Sequence, residues 1–352
     1  MLVPYPPDEP KDPSDTRTPL ILVHGIHGAE DWDKNGKLDE LEAVEQLAGW
    51  QRFIEYFDSN SELNSKYKIF RFLYLSDLQP VTEIGRSFRM HLDRAISRGD
   101  MNDLPVVLLA HSMGGLVSRS LMQKYEGTAK IKKLITLATP HHGSPGANDT
   151  NALRKLFTGG PRGAWHFLLA EFQLLYNLVS VADGSRWDVM MNSDHPNRSD
   201  LRWDNKGGSV LVGASDANGW LAGLNDSLKK NMAQKIITYY GYVDYQTECR
   251  KSWSSPWKIH LKTNLMPLFN EHKQLCIAGA IMDAGMNYVF QANDGMVPIQ
   301  SARLHGHKVA KRVSCADHDH LDMLEDPEKE CSTKKRLFES LKDDLLDIAQ
   351  SP

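Results

Sequence analysis

Residues Leu109-Ala110-His111-Ser112-Met113-Gly114-Gly115 follow the apolar run Val106 to Ala110 and open a helix-like stretch to about Tyr125. A serine at such a strand-to-helix turn is held in a strained conformation with its hydroxyl above the sheet, ready for nucleophilic acyl transfer. The turn brings strand and helix backbones together, so the positions two before and two after the serine must be small. Ala110 and Gly114 satisfy that demand, although Ala110 departs from the usual G-x-S-x-G.

A hydroxyl needs a base, and the base needs an orienting acid. In a serine elbow of this kind the chain order is Ser, acid, His. That order excludes the histidines before Ser112. His141 and His142 come too soon after it and more naturally line a cleft. His318 and His320 follow the last strand-like run, Val309 to Ser314. Two acids fit the order: Asp244, ending the strand Tyr239–Val243, and Asp294, in the polar turn Asn293-Asp294-Gly295. A tetrahedral intermediate also needs two backbone N–H donors. Met113 supplies one, and Ile26, or alternatively His27, supplies the other from the glycine-rich turn His24-Gly25-Ile26-His27-Gly28.

A second constellation suggests a metal. Asp31, Asp33, Asn35, Lys37 (by its carbonyl), Asp39 and Glu42 repeat the ligand spacing of an EF-hand-type loop, with Gly36 at the sharp turn. Oxygen donors suit calcium, as a structural brace after the oxyanion turn. The competing reading is an acidic loop capping the next helix.

These residues require elements to place them. Leu20 to Val23, Ile69 to Leu75, Val106 to Ala110, Ile131 to Leu137 and Lys235 to Tyr242 read as buried strands. Helical spacing covers Leu47 to Phe57, Val81 to Ile96 and Lys335 to Ile348. The alternation predicts an α/β architecture, a mostly parallel central sheet with helices on both faces. The core spans 18–144 and 234–352, after a flexible tether at 1–17. Two insertions interrupt it: 145–233, read as a lid with an apolar helix over Ala164 to Ala182, and 245–287.

The segments around His24, Ser112, Asp294 and His320 resemble bacterial triacylglycerol lipases and esterases. Ala110-His111-Ser112-Met113-Gly114 is similar to the variant of small Bacillus-type lipases. Asn293-Asp294-Gly295-Met296-Val297 and His320-Leu321-Asp322 resemble the Pseudomonas and Burkholderia enzymes. The likeness covers 18–144, 234–244 and 290–325 and neither insertion. It implies the α/β-hydrolase fold, selects Asp294 over Asp244 and His320 over His318, and marks Asp322, with Asp326, as a weaker calcium candidate. The implied activity is serine-dependent carboxylic ester hydrolysis through an acyl-enzyme, first of lipid esters. A polyester of the polyhydroxyalkanoate kind, or a binding relative without turnover, are the alternatives.

The totals exclude other classes. Net charge is −4, from 41 basic and 45 acidic residues, which argues against a nucleic-acid partner. No nucleotide fingerprint or metal knuckle appears, so no organic cofactor is expected. The substrate is then a small-molecule, lipid or polymer ester, with contact to a lipid interface through the lid. The four cysteines, Cys249, Cys276, Cys315 and Cys331, cluster in the last third. Nearest-neighbour pairing gives Cys315–Cys331 and Cys249–Cys276, against four free thiols in a cytoplasmic enzyme. Disulfides imply a secreted or periplasmic protein, although the chain carries no signal-peptide-like start.

Overall fold

The computed structural model describes residues 1–7, 12, 14–26, 28–76, 78–125, 129–144, 147, 198–206, 217–243 and 292–351. Among them, seven strands form one sheet: β1 Leu2–Tyr5, β2 Thr18–Val23, β3 Tyr67–Phe72, β4 Val106–His111, β5 Ile131–Leu137, β6 Ile236–Tyr242 and β7 Lys311–Ala316. Their order is β1-β3-β2-β4-β5-β6-β7, parallel throughout except where β1 runs against β3.

Successive side chains of a strand point to opposite faces, and both faces here are covered. Leu20, Leu22, Val107, Leu109, Ile135 and Leu137 meet Phe53, Phe338, Leu341 and Leu345 on one side. Ile21, Val23, Leu108 and Ala110 meet Ile84, Phe88, Leu116 and Val117 on the other. Phe72 stacks on Phe88 with ring centroids 3.9 Å apart. Each fully buried side chain of this size contributes about 1.5–3 kcal/mol. The helices Val81–Ser97 and Met113–Lys124 lie on the second face, and Gln51–Asp58 and Leu337–Gln350 on the first.

Several elements differ from the sequence expectation, among them β3, expected over Ile69 to Leu75 and found at Tyr67–Phe72. Leu2–Tyr5 is a strand rather than tether, because Val3 reaches the core and Leu2 to Tyr5 pair with Phe72 to Ile69. The helix expected from Leu47 begins at Gln51, since Ala48 and Gly49 both have positive φ, 53° and 81°. A short helix at Ser61–Lys66 has Asn60 as its cap. β7 starts at Lys311 and runs to Ala316, two residues later than its apolar run suggested.

Of the first insertion, 147, 198–206 and 217–233 are described and pack on the core. The lid helix expected over Ala164 to Ala182, the insertion at 245–287 and the Cys249–Cys276 pairing lie outside the described residues. Among the described residues, no helix is long and apolar enough to cross a membrane.

Candidate active site

Ser112 sits between the end of β4 and the helix Met113–Lys124, at φ 52° and ψ −129°. That is a region a non-glycine residue occupies only when its surroundings impose it. Its N–H donates to the Leu137 carbonyl at 2.8 Å, which ties the turn to β5. A Cβ on Gly114 would come 2.3 Å from the His24 carbonyl oxygen, and one on Gly25 would come 2.9 Å from Ser112 Cβ. The smallness required after the serine is therefore a contact with β2 and its following turn.

His320 lies in the loop after β7. Its Nε2 is 2.8 Å from Ser112 Oγ, and its Nδ1 donates to Asp294 Oδ2, also at 2.8 Å. The main-chain N–H of His320 donates to the Asp294 carbonyl at 2.9 Å. The other Asp294 oxygen accepts from the N–H groups of Met296 and Val297, at 3.0 and 2.7 Å. The carboxylate is thus fixed by its own turn, and one oxygen remains for the imidazole. All three side chains are buried. The rival acid Asp244 and the rival donor His27 lie outside the described residues. His318 points elsewhere, its Nδ1 donating to Ala316 O at 2.8 Å.

The turn after β2, which carries the expected oxyanion donor Ile26, is braced by His24. Its Nδ1 donates to Gly25 O at 2.7 Å, and its Nε2 accepts from the Tyr74 N–H at 3.2 Å. The ring stacks on Tyr74 with centroids 4.0 Å apart. Burial drives its pKa down to about 4, so the ring is a neutral strut at physiological pH. A Cβ on Gly28 would strike that ring at 2.4 Å. The turn carrying Ile26 is therefore pinned on both sides. The N–H of Met113 belongs to the first turn of its helix, where no intrahelical acceptor exists. Ile26 and Met113 lie on the two turns that meet at Ser112.

His141 and His142 do not line a cleft. Both are buried and committed to structure. His141 lies 3.1 Å from Thr136 Oγ1 and accepts from Arg119, and burial with the Arg119 charge holds its pKa well below the usual histidine range. His142 bridges Asp204 Oδ2 at 2.8 Å and the His305 carbonyl at 2.9 Å. Arg119, on the helix Met113–Lys124, donates to Leu224 O at 3.3 Å, and burial lowers its pKa to about 9. Ser301 Oγ accepts from His142 N–H at 2.9 Å and donates to Gly143 O at 2.7 Å. Together these groups fasten the described part of the first insertion, and the segment bearing Asp294, to the end of β5. The sequence placed His141 and His142 at a cleft and gave no sign of a role for Arg119, Asp204 or Ser301.

At the acidic loop, carboxylate oxygens of Asp31, Asp33 and Glu42 lie within 4.8 Å of one another. Asp39 instead caps the helix Glu40–Glu45 in a capping box with Glu42. Asn35 Oδ1 accepts from Lys37 N–H at 2.8 Å. At the weaker candidate, Asp326 pairs with Arg336 at 2.9 Å and caps the C-terminal helix through Phe338 N–H.

Residues 66–214 match the family described as the PGAP1-like alpha/beta domain, a span of less than half of the chain. A curated relative, the GPI inositol-deacylase of Emericella nidulans, is 32% identical over 120 residues. That likeness takes in 31% of this chain and only 10% of the relative, so the chain matches about a tenth of its length. Among solved structures, the mature Bacillus licheniformis lipase BlEst2 is 16% identical, with a TM-score of 0.49 over 92% of this chain and 93% of that one. The Legionella pneumophila phospholipase PlaB is 18% identical, with a TM-score of 0.37 over 66% of this chain and 41% of its own. The parallel sheet with its one antiparallel edge strand and the serine elbow after β4 give the chain the α/β-hydrolase fold, and the PGAP1-like segment runs across that elbow.

Proposed function

We propose that the protein hydrolyses carboxylic esters, with Ser112 as nucleophile, His320 as general base and acid, and Asp294 as the group that orients the imidazole. The supporting observation is the unbroken line from Ser112 Oγ through His320 to Asp294, with both hydrogen bonds at 2.8 Å. His320 takes the Ser112 proton as Oγ attacks the ester carbonyl. The carbonyl oxygen, now anionic, is held by the N–H groups of Ile26 and Met113. The imidazolium, stabilised by Asp294, returns the proton to the leaving alcohol. Water then enters, loses a proton to His320 and releases the acid, restoring Ser112.

The acyl ester of a lipid is the proposed substrate class. The matching relative is named for removing an acyl group from the inositol of a GPI, and its likeness supports this choice. The lid reading of 145–233, contact with a lipid interface and secretion belong to the same proposal. The Cys315–Cys331 disulfide suits an oxidising compartment.

A fluorophosphonate probe tests the reading directly. We expect one covalent label on Ser112, and p-nitrophenyl ester hydrolysis that disappears as the label goes on. A folded protein that neither takes the label nor cleaves such esters would end the proposal. Comparison of butyrate, decanoate and palmitate esters then measures the acyl length accepted.

A further inference from the structure

Cys315 on β7 and Cys331, paired across an isolated antiparallel bridge, close the loop that presents His320. Both are buried, and they form a disulfide. His318 lies inside that loop, is fully buried, and offers a ring nitrogen within 4.8 Å of both sulfurs. Its Nδ1 lies 2.8 Å from Ala316 O. A carbonyl oxygen only accepts, so Nδ1 carries the hydrogen and Nε2 carries the lone pair. Nε2 is shielded from solvent and has no hydrogen-bond partner. Nor can the loop easily turn it away. The His318 backbone packs against β6, where a Cβ on Gly241 would come 2.3 Å from His318 O.

A buried, unpartnered lone pair on a ring beside two sulfurs lacks an electron-pair acceptor, and a disulfide provides none. We propose that Cys315, Cys331 and His318 form, once the disulfide is reduced, a binding site for a thiophilic divalent cation of the zinc class. The reduction takes two electrons and two protons from an external dithiol, which itself becomes a disulfide. The cation then displaces one proton from each thiol and accepts the Nε2 lone pair, with a water molecule as fourth ligand. Tetrahedral zinc bonds of about 2.3 Å to sulfur and about 2.0 Å to nitrogen place such donors about 3.5–3.8 Å apart. The two sulfurs must part from bonding distance, and a ring nitrogen of His318 already lies within 4.8 Å of each of them. Two thiolates and an imidazole are soft to borderline donors, which disfavours calcium and magnesium. The cation would keep the His320 loop closed by coordination where the oxidised protein closes it covalently.

The test uses the full chain with Cys249→Ser and Cys276→Ser, so that one cysteine pair remains. Protein reduced with dithiothreitol and freed of it without air is titrated with cobalt(II), followed by zinc competition. We expect one cobalt per chain, a thiolate-to-cobalt charge-transfer band of two-thiolate intensity, and displacement by zinc. The disulfide form should show no band. His318→Ala should keep the two-thiolate band but bind at least about tenfold more weakly, as loss of a direct ligand should exceed the loss of an outer partner. Absence of the band in reduced protein, or unchanged affinity in His318→Ala, overturns the site. Should His318→Ala fail to fold, Cys331→Ser serves instead: a halved band is expected, and an unchanged one overturns the proposal. None of these readouts involves ester turnover, so they stand apart from the proposed function.

Discussion

His111 Nε2 donates to the main-chain carbonyl of His320 at 3.0 Å, so the residue before the elbow serine holds the loop carrying the imidazole. The rings of the two histidines are 4.8 Å apart. Elbow and base loop are thus joined by this hydrogen bond, by the ring contact and by a second hydrogen bond, Ser112 Oγ to His320 Nε2. Removing the first should loosen the base without removing it. We expect His111→Ala to lower kcat by roughly tenfold or more, with KM little changed, since small misplacements of a reacting group are costly. Initial rates on p-nitrophenyl butyrate, with circular dichroism as a check of folding, decide it. An unaltered kcat would mean that Asp294 alone positions the ring.

Ser112→Ala should abolish hydrolysis by several orders of magnitude with the melting temperature kept. Asp294→Asn should lower kcat by about 10³–10⁴-fold, because an amide no longer favours the tautomer that leaves Nε2 free to accept. Full activity in purified Asp294→Asn would shift the acid role to another residue.

The smallness of Gly114 is open to a stability test. An added Cβ meets the His24 and Val23 carbonyl oxygens at 2.3 and 2.5 Å, and both are backbone atoms that cannot swing aside. Gly114→Ala should therefore destabilise by at least about 1–3 kcal/mol, the usual cost of overpacking. Gly219→Ala is the matched control. Nothing lies within 4 Å of its Cβ position at a helix start, so the change should be neutral or stabilising. Urea unfolding of both variants measures the contrast, and similar midpoints would refute the close-contact account.

The parts of this arrangement legible in the sequence share a cause. β4 and its serine turn are read from a short apolar run followed by small residues, because burial on both faces and close approach restrict composition strongly. The Asp-Gly turn at Asp294 and the loop after β7 were narrowed by chain order and then selected by resemblance. The supports were not legible. Arg119, His142 and Asp204 meet only in the folded chain, His142 and Asp204 being 62 positions apart, and no local period marks such a pairing. β1 was missed because Pro4 suggested a tether. An edge strand tolerates proline, since one side of its backbone has no partner.

Asp200 makes stability depend on pH. Its carboxylate accepts from Val81 N–H at 2.8 Å at the start of the helix Val81–Ser97, and burial pushes its pKa from 3.8 up to about 6. The folded chain keeps a proton there that the unfolded chain releases. This contribution is full below about pH 3.8 and lost as pH rises through about 6. Asp200→Asn retains an acceptor for Val81 and should add on the order of 1–3 kcal/mol at pH 7, with little gain near pH 4. Denaturant melts at the two pH values check this. An equal gain at both would show that the carboxylate is not the titrating group.

Calcium at Asp31, Asp33 and Glu42 remains a proposal resting on three carboxylates within 4.8 Å of one another. Excess calcium should raise the melting temperature by a few degrees, EGTA should reverse it, and Glu42→Gln should remove the response. If neither calcium nor EGTA changes the melting temperature, the loop is only the cap of its helix.

Ser112 and His320 are 208 positions apart, and the strands that end beside them, β4 and β7, are separated in the sheet by β5 and β6. In the proposed mechanism the group that activates Ser112 comes from 208 positions further along the chain. On that proposal, an amino-terminal segment emerging from a ribosome would carry the serine, the elbow and both proposed backbone donors, yet stay inert until the last strand docks. Contacts of such long range form late. Fluorophosphonate labelling during refolding would then act as a clock for the final docking step, lagging behind the circular dichroism signal of the earlier helices.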